Sequence, residues 1–177
     1  MVLKQIKLSE FDTVYAHIEN NFILAERRDY ENAVTLLENS CFTVYHVEHD
    51  NQNVGFVILW ELDEFDFIEY LVIYERYRNQ GFGAKTLELL KSRGKKLVLE
   101  AELPISDIQK RRVAFYQRCA FVKNSFDYVQ PPYRQGEHGV PMVIMSYPDA
   151  LEDKESTVCK LYRRVYNVNY EKNTYIS

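Results

Sequence analysis

The order of predicted elements in the middle of the chain constrains the fold most. The segment DFIEYLVI (66–73) has the β-branched and aromatic composition of a strand, and KLVLEAE (96–102) has the same character. Between them, RNQGFGAKTLELL (78–90) places two of the chain's six glycines directly before an amphipathic pattern. We expect that helix to run from about Gly81 to Arg93, with Gly94 as its C-terminal cap. This succession predicts a strand–helix–strand unit, in which the helix covers one face of a sheet.

Further segments extend this unit in both directions. The other predicted strands cover 2–7, 42–49, 54–60, 121–129 and 140–147, and DNQN (50–53) supplies turn residues for a hairpin. The other predicted helices cover about 9–22, 28–38 and 107–118, and Ser9 with Asp12 resembles a capping box for the first. The pattern predicts an α/β (α+β) fold, a mixed central β-sheet flanked by helices on both faces.

The length favours one domain. A chain of 177 residues buries a sizeable core without disulfides or metals, so we predict a single domain over 1–177. A helical extension is expected from about residue 149. Its apolar side consists of Leu151, Val158, Leu161, Tyr162 and Val165.

Composition narrows the functional classes. No apolar run reaches the ~20 residues that span a bilayer, and the first residues are charged early, so neither a membrane nor a signal peptide is expected. Cys41, Cys119 and Cys159 are scattered without metal-ligand spacing, which indicates reduced thiols, no metal and a cytoplasmic location. A net charge of -4 disfavours nucleic acid as a partner.

The glycine stretch has the features of a phosphate site. The first amides of a helix lack intrahelical partners and carry partial positive charge. Gly81 and Gly83 permit a sharp turn without side chains that would keep a phosphate away, and Arg78 adds a full charge. A tight turn with a solvated arginine is the other interpretation. The phosphate-loop lysine and the third glycine of the dinucleotide fingerprint are both missing.

The stretch Arg78-Asn79-Gln80-Gly81-Phe82-Gly83 resembles the Arg/Gln-x-x-Gly-x-Gly/Ala signature of the GNAT acetyltransferases. The resemblance implies that the loop binds the pyrophosphate of acetyl-CoA, with Ala84 and Lys85 included. It also implies that the preceding strand contacts pantetheine through Leu71, Val72 and Ile73.

A second segment, RRVAFYQRCAF (111–121), resembles the family's helix-to-strand region. Tyr116 and Phe121 keep the family spacing, whereas Ala120 stands where relatives carry glycine and would need a left-handed backbone. Many relatives carry asparagine seven residues before the tyrosine. Here Gln109 stands at that place, and we interpret it as part of a capping box with Ser106.

The resemblance also implies catalytic roles. Glu69 is the predicted base that deprotonates an amine, and Glu61, Glu100 and Glu102 are alternative bases. Tyr116 is predicted to donate a proton, or at least a hydrogen bond, to the departing thiolate.

We therefore expect an N-acetyltransferase that moves the acetyl group of acetyl-CoA directly to a small primary amine in a ternary complex. The acidic span Glu61, Asp63, Glu64, Asp66 and Glu69 could attract such an amine, but an exposed hairpin kept soluble by charge is the favoured interpretation. The loop 128–142 is expected to display Tyr133, Arg134 and His138, and the resemblance implies that it lies beside the acceptor. A simple connection between two strands or a dimer contact is the other interpretation. Several alternatives remain open. The acceptor could be a protein amine, and the donor a longer acyl-CoA. The protein could also be a non-catalytic acyl-CoA-binding or interaction module or a nucleotide-binding regulator, and it could form a homodimer.

Overall fold

The computed structural model describes residues 1–169, so the last eight residues of the predicted domain lie outside the described residues. The fold is mixed α/β, with a central, mostly antiparallel sheet flanked by helices, as predicted. The chain divides into two compact units, Met1–Leu97 and Val98–Ser177. The prediction of a single domain stays a prediction.

The first unit is built on four antiparallel strands in the order β1-β2-β3-β4. The strands are β1 (Val2–Gln5), β2 (Phe42–His49), β3 (Gln52–Glu61) and β4 (Phe65–Ile73). Asp50 and Asn51, with φ angles of 47° and 59°, form the two-residue turn between β2 and β3. Two left-handed residues match the twist of a hairpin, so the predicted turn is confirmed.

Three helices belong to this unit: α1 (Phe11–Asn21), α2 (Tyr30–Thr35) and α3 (Phe82–Lys91). In α1 the buried side chains are Phe11, Val14, Tyr15 and Ile18. In α3, Leu87 and Leu90 are fully buried, as the predicted amphipathic helix requires. Gly94, with a φ of 75°, follows α3 as the expected C-terminal glycine.

The predicted capping box at Ser9 is wrong. A 3-10 turn, Leu8–Glu10, precedes α1, and the Glu10 carboxylate accepts a hydrogen bond of 2.8 Å from the Lys7 backbone N–H. Ser9 therefore lies inside the turn, and α1 begins two residues after it.

The second unit contains most of β5 (Lys96–Glu102), then α4 (Asp107–Arg118), β6 (Val122–Lys123), β7 (Tyr128–Gln130), β8 (Val140–Tyr147) and α5 (Lys154–Lys160). Its strand order is β5-β8-β6, and β7 also pairs with β8. The prediction of one continuous strand over 121–129 is wrong. Two short strands, β6 and β7, stand there instead, with buried Asn124 between them. The Asn124 amide donates to the Ile144 carbonyl and accepts from the Leu151 N–H, at 3.2 and 2.8 Å.

The C-terminal extension is helical as predicted, but its geometry changes along its length. α5 continues into one π-helical turn, Leu161–Val165. Val158, Leu161, Tyr162 and Val165 are buried, whereas Leu151 precedes the helix.

Candidate active site

The loop before α3 has an open helix N-terminus. Gly81 is the N-cap in a left-handed conformation, and no side chain caps the first turn. Asn79 is also left-handed, with a φ of 61°, and the Gln80 side chain donates to the Arg76 carbonyl at 3.0 Å. A Cβ at Gly81 would meet no atom within 4 Å. The first amides of α3 are therefore accessible to an anion.

Phe82 anchors this loop. Its side chain is buried, with ring centroids 5.0 Å from His49 and 6.1 Å from Tyr77. It packs in a cluster with Val47 and Val54, next to the β2–β3 turn. The side chain of Phe82 thus fixes the start of α3. A ligand at this position could contact only the backbone of Phe82. Lys85 is exposed near the first turn, with its Nζ 5.4 Å from the Phe82 ring centroid.

Arg78 connects the loop to the end of β4. Its Nε donates to the Ile73 carbonyl at 3.2 Å, and its Nη2 donates to Asn21 Oδ1 at 2.7 Å. The structure therefore brings together two of the groups that the sequence assigned to the cofactor, the arginine of the loop and the last residue of the strand.

The β4 strand contains a bulge at the residue predicted as the base. Tyr70 is opposite Ile58 and Ile68 is opposite Leu59, which leaves Glu69 as the extra residue. A bulge bends the strand and redirects the side chain of the extra residue. Beyond it, Leu71 and Ile73 are half-buried and Val72 is buried.

Arg28 and Trp60 both donate hydrogen bonds to the Glu69 carboxylate. Arg28 Nε lies 3.0 Å from Oε1, and Trp60 Nε1 lies 2.7 Å from Oε2. Only 2% of the Glu69 side chain is exposed, against 13% for Arg28. The Arg28 guanidinium also lies 5.5 Å from the Trp60 ring centroid. Neither Arg28 nor Trp60 was predicted, because the Arg28–Glu69 contact spans 41 residues and the Trp60–Glu69 contact depends on the pairing of β3 with β4.

The acidic span is not the exposed hairpin that we favoured. Asp66 is fully buried and lies 3.0 Å from Lys95 Nζ, and Glu61 lies 2.6 Å from Arg93 Nη2. Glu69 pairs with Arg28, so three of the five acids are paired with cations within the first unit. Asp63 and Glu64 alone are exposed.

The alternative bases differ in their surroundings. Burial acts to raise the pKa of Glu61, but hydrogen bonding from Tyr45 and the charge of Arg93 outweigh it, and the net pKa is lowered. A lowered pKa makes Glu61 a poor base at neutral pH. In the second unit, Glu102 pairs with Arg112. Glu100 accepts hydrogen bonds from Tyr128 and, at 2.6 Å, from Tyr166.

Tyr116 lies on α4 in the second unit and is half-buried. Its ring contacts those of Phe115 and Phe121, with centroids 5.2 and 5.9 Å away. Burial raises the pKa of Tyr116 to about 12, and the nearby positive charge of Arg112 offsets only part of this rise. The hydroxyl is therefore protonated at neutral pH and is able to donate a hydrogen bond.

Two predictions about this region are confirmed. Ala120 adopts the left-handed conformation, with a φ of 60°. Gln109 and Ser106 form a reciprocal capping box: the Ser106 N–H donates to Gln109 Oε1 at 2.8 Å, and the Gln109 N–H donates to Ser106 Oγ at 3.3 Å.

The loop 128–142 displays less than we expected. Only His138 is exposed among the three side chains that we expected at its surface. Arg134 Nη1 lies 3.5 Å from Glu137 Oε2, and the Tyr133 ring centroid lies 5.3 Å from that of Tyr166. Both side chains are half-buried because they pack within the second unit.

Two cavities open in the first unit. One, of about 510 Å³, lies between α1 and the segment leading into α2, and its lining includes Asp12, Tyr15, Glu19, Arg27, Asp29, Tyr30 and Glu31. Tyr15 and Tyr30 meet edge to face at 5.1 Å. The other, of about 1010 Å³, includes His17, Asn53, Tyr74 and Arg76 in its lining. Neither cavity was predicted from the sequence.

Residues 1–169 show neither a metal-binding cluster nor a membrane-spanning helix. No group of three or more His, Cys, Asp or Glu side chains is arranged to hold a metal ion. Among the helices of this part of the chain, none has the length and apolar composition needed to cross a membrane.

Comparison with known proteins identifies relatives of this chain. The model of the "Acetyltransferase (GNAT) family" matches residues 7–121. YjbC of Bacillus subtilis, an acetyltransferase by its assigned name, is 28% identical over 110 residues, covering 60% of this chain. The match spans 55% of YjbC, about half its length.

Solved structures agree with this match. A protein from Bacteroides thetaiotaomicron, assigned to the GNAT acetyltransferases, is 30% identical, with a TM-score of 0.89. That alignment covers 96% of this chain and 100% of the other. The ribosomal-protein-S18-alanine N-acetyltransferase of Escherichia coli shares the fold, with a TM-score of 0.57, 16% identity and coverage of 87% and 97%. The family match and the Bacteroides relative together show that this chain belongs to the GNAT family of acetyltransferases, which are acyltransferases.

Proposed function

We propose that the protein transfers the acetyl group of acetyl-CoA to the primary amine of a small molecule, directly and in a ternary complex. The observation that carries this proposal is the uncapped N-terminus of α3, with Arg78 tied to the carbonyl of Ile73. A pyrophosphate at the first amides of α3 would be stabilised by the positive end of the helix dipole and by the charge of Arg78. Pantetheine would then follow the backbone of residues 71–73.

The reaction joins the amine nitrogen to the thioester carbonyl carbon and breaks the carbon–sulfur bond. The amine must lose protons, and the leaving thiolate must be stabilised or protonated. We assign the first role to Glu69. Glu69 lies at the bulge of β4, and hydrogen bonds from Arg28 and Trp60 orient its carboxylate.

Tyr116 suits stabilisation of the thiolate better than full proton transfer. Its pKa is about 12, whereas an ordinary thiol has a pKa of about 8.5, so complete transfer would cost about 5 kcal/mol. A hydrogen bond to the sulfur requires no such transfer. The thiolate can then take a proton from solvent after it leaves.

The 510 Å³ cavity supports a small cationic acceptor. Four carboxylates and one guanidinium are among its lining groups, which favours a positively charged ligand. Its volume is within the range of small-molecule sites, roughly 300–1,000 Å³. The segment that lines it also carries Arg28, the partner of Glu69.

Release of free thiol from acetyl-CoA, measured with a panel of small amines, tests this function. We expect release with at least one amine, and a loss of about 100-fold in kcat for Glu69→Gln. Tyr116→Phe should also lower kcat. Asp63→Asn, at an exposed position of the same acidic span, is the matched control and should leave turnover unchanged. No release with any amine, despite tight binding of CoA, would favour a non-catalytic binding module. Unchanged turnover in both site variants would remove the assigned roles.

A further inference from the structure

The C-terminal end of α1 holds the arginine of the phosphate loop. Asn21 is the last residue of α1, and its Nδ2 donates to the His17 carbonyl one turn earlier, at 2.8 Å. This hydrogen bond fixes the amide plane. Asn21 Oδ1 then accepts from Arg78 Nη2 at 2.7 Å.

Arg78 is consequently fixed at two points by neutral acceptors. Nε bonds to the Ile73 carbonyl, and one Nη2 hydrogen bonds to Asn21. A guanidinium has five N–H donors, so three remain, and they make no hydrogen bond to residues 1–169. No carboxylate of these residues pairs with Arg78 either. Its charge is therefore uncompensated within the described chain, while its direction is fixed.

We infer that Asn21 is a positioning residue for the phosphates of the acyl donor, acting through Arg78. This inference rests on the proposed function. An arginine that is already oriented loses less side-chain freedom when it binds an anion, so the ligand binds more tightly. The family signature covers residues 78–83 and does not include Asn21, which lies 57 residues before Arg78.

A mutant cycle measured by calorimetric titration with CoA tests the inference. The proteins are wild type, Asn21→Ala, Arg78→Ala and the double variant, all in the full chain. Asn20→Ala is the matched control: Asn20 is the preceding residue of the same helix, is exposed, and makes no side-chain hydrogen bond to the described residues. The melting temperature of each unliganded variant reports any general damage to the fold.

We expect Asn21→Ala to weaken CoA binding by about 3- to 10-fold, the effect of freeing one oriented side chain. Arg78→Ala should weaken it by at least about 10-fold, as expected for a lost charge-assisted contact. The double variant should match Arg78→Ala alone, because Asn21 has no effect without the arginine it orients. Asn20→Ala should bind as the wild type does.

The outcomes separate this inference from the proposed function. Wild-type protein that does not bind CoA overturns both. Wild-type binding with equal affinities for Asn21→Ala and Asn20→Ala overturns the inference alone. An Asn21→Ala effect that persists in full in the Arg78→Ala background also overturns it, since Asn21 would then act independently of the arginine.

Discussion

Gly81 and Gly94 are a matched pair for testing the phosphate site, because they flank the two ends of α3 in the same conformation. Their φ angles are 80° and 75°, and a Cβ at either position would meet no atom within 4 Å. Each substitution to alanine therefore carries only the strain of a left-handed residue, about 1–2 kcal/mol. We expect both unliganded variants to melt roughly 2–8 °C lower than the wild type.

The two variants should differ once CoA is added. Gly81 is at the N-terminus of α3, where we place the pyrophosphate, and Gly94 lies beyond the other end of a helix of 10 residues, about 15 Å away. At a concentration 100 times the wild-type dissociation constant, CoA adds about 2.7 kcal/mol of stability. That corresponds to a rise in melting temperature of roughly 5–10 °C.

A methyl group at Gly81 occupies space that the phosphate needs, and we expect a loss of affinity of about 10-fold or more. At the same CoA concentration, a 10-fold loss leaves about 1.4 kcal/mol of stabilisation. The rise for Gly81→Ala should therefore be half that of the wild type or less, while Gly94→Ala keeps the full rise. Thermal unfolding by fluorescence, with and without CoA, measures both. Equal rises in the two variants would refute the placement of the phosphate at Gly81.

Three further predictions concern stability. Arg28→Met leaves the buried Glu69 carboxylate without its cation, so we expect the free energy of unfolding in denaturant to fall by about 3–5 kcal/mol. Lys4→Met, in the exposed pair with Glu48, should lower it by about 1 kcal/mol or less. Similar losses in the two variants would contradict a buried Arg28–Glu69 pair. The pKa of Tyr116 is raised from 10.0 to about 12, so the unfolded chain ionises first, and this group lowers the free energy of unfolding as the pH rises from 10 to 12. Tyr116→Phe should therefore lose less stability than the wild type over that range, and identical curves would speak against burial of the hydroxyl. The lowered pKa of Glu61 contributes stability that is present above its ordinary pKa of 4.5 and is lost as the pH falls through the lowered value. Glu61→Gln should therefore reduce the dependence of the free energy of unfolding on pH in the acid range. Asp63→Asn, at an exposed site, serves as the comparison.

The sequence predicted features that depend on neighbouring residues. The turn at Asp50 and Asn51, the start of α3 near Gly81 and the capping box at Ser106 each follow from local backbone and side-chain chemistry. The left-handed conformation of Ala120 was also predicted, because the family resemblance places this residue where relatives carry glycine.

Features that depend on distant pairing were not predictable. The bulge at Glu69 arises from the register of β4 against β3, which alternation of side chains in one strand does not reveal. The burial of Asp66 was missed because Lys95, its partner, follows a loop and a whole helix. The Ser9 prediction was wrong because the Glu10 carboxylate, and not the Ser9 side chain, accepts a hydrogen bond near the helix start, from the Lys7 N–H.

The most direct test of the account is thermal unfolding of the full chain with acetyl-CoA, CoA, ATP or NAD. We expect both CoA species to raise the melting temperature by roughly 5–10 °C at saturating concentration, and ATP and NAD to leave it unchanged. If neither CoA species stabilises the protein, the open N-terminus of α3 and the fixed Arg78 do not form a site for the acyl donor, and the central claim is wrong.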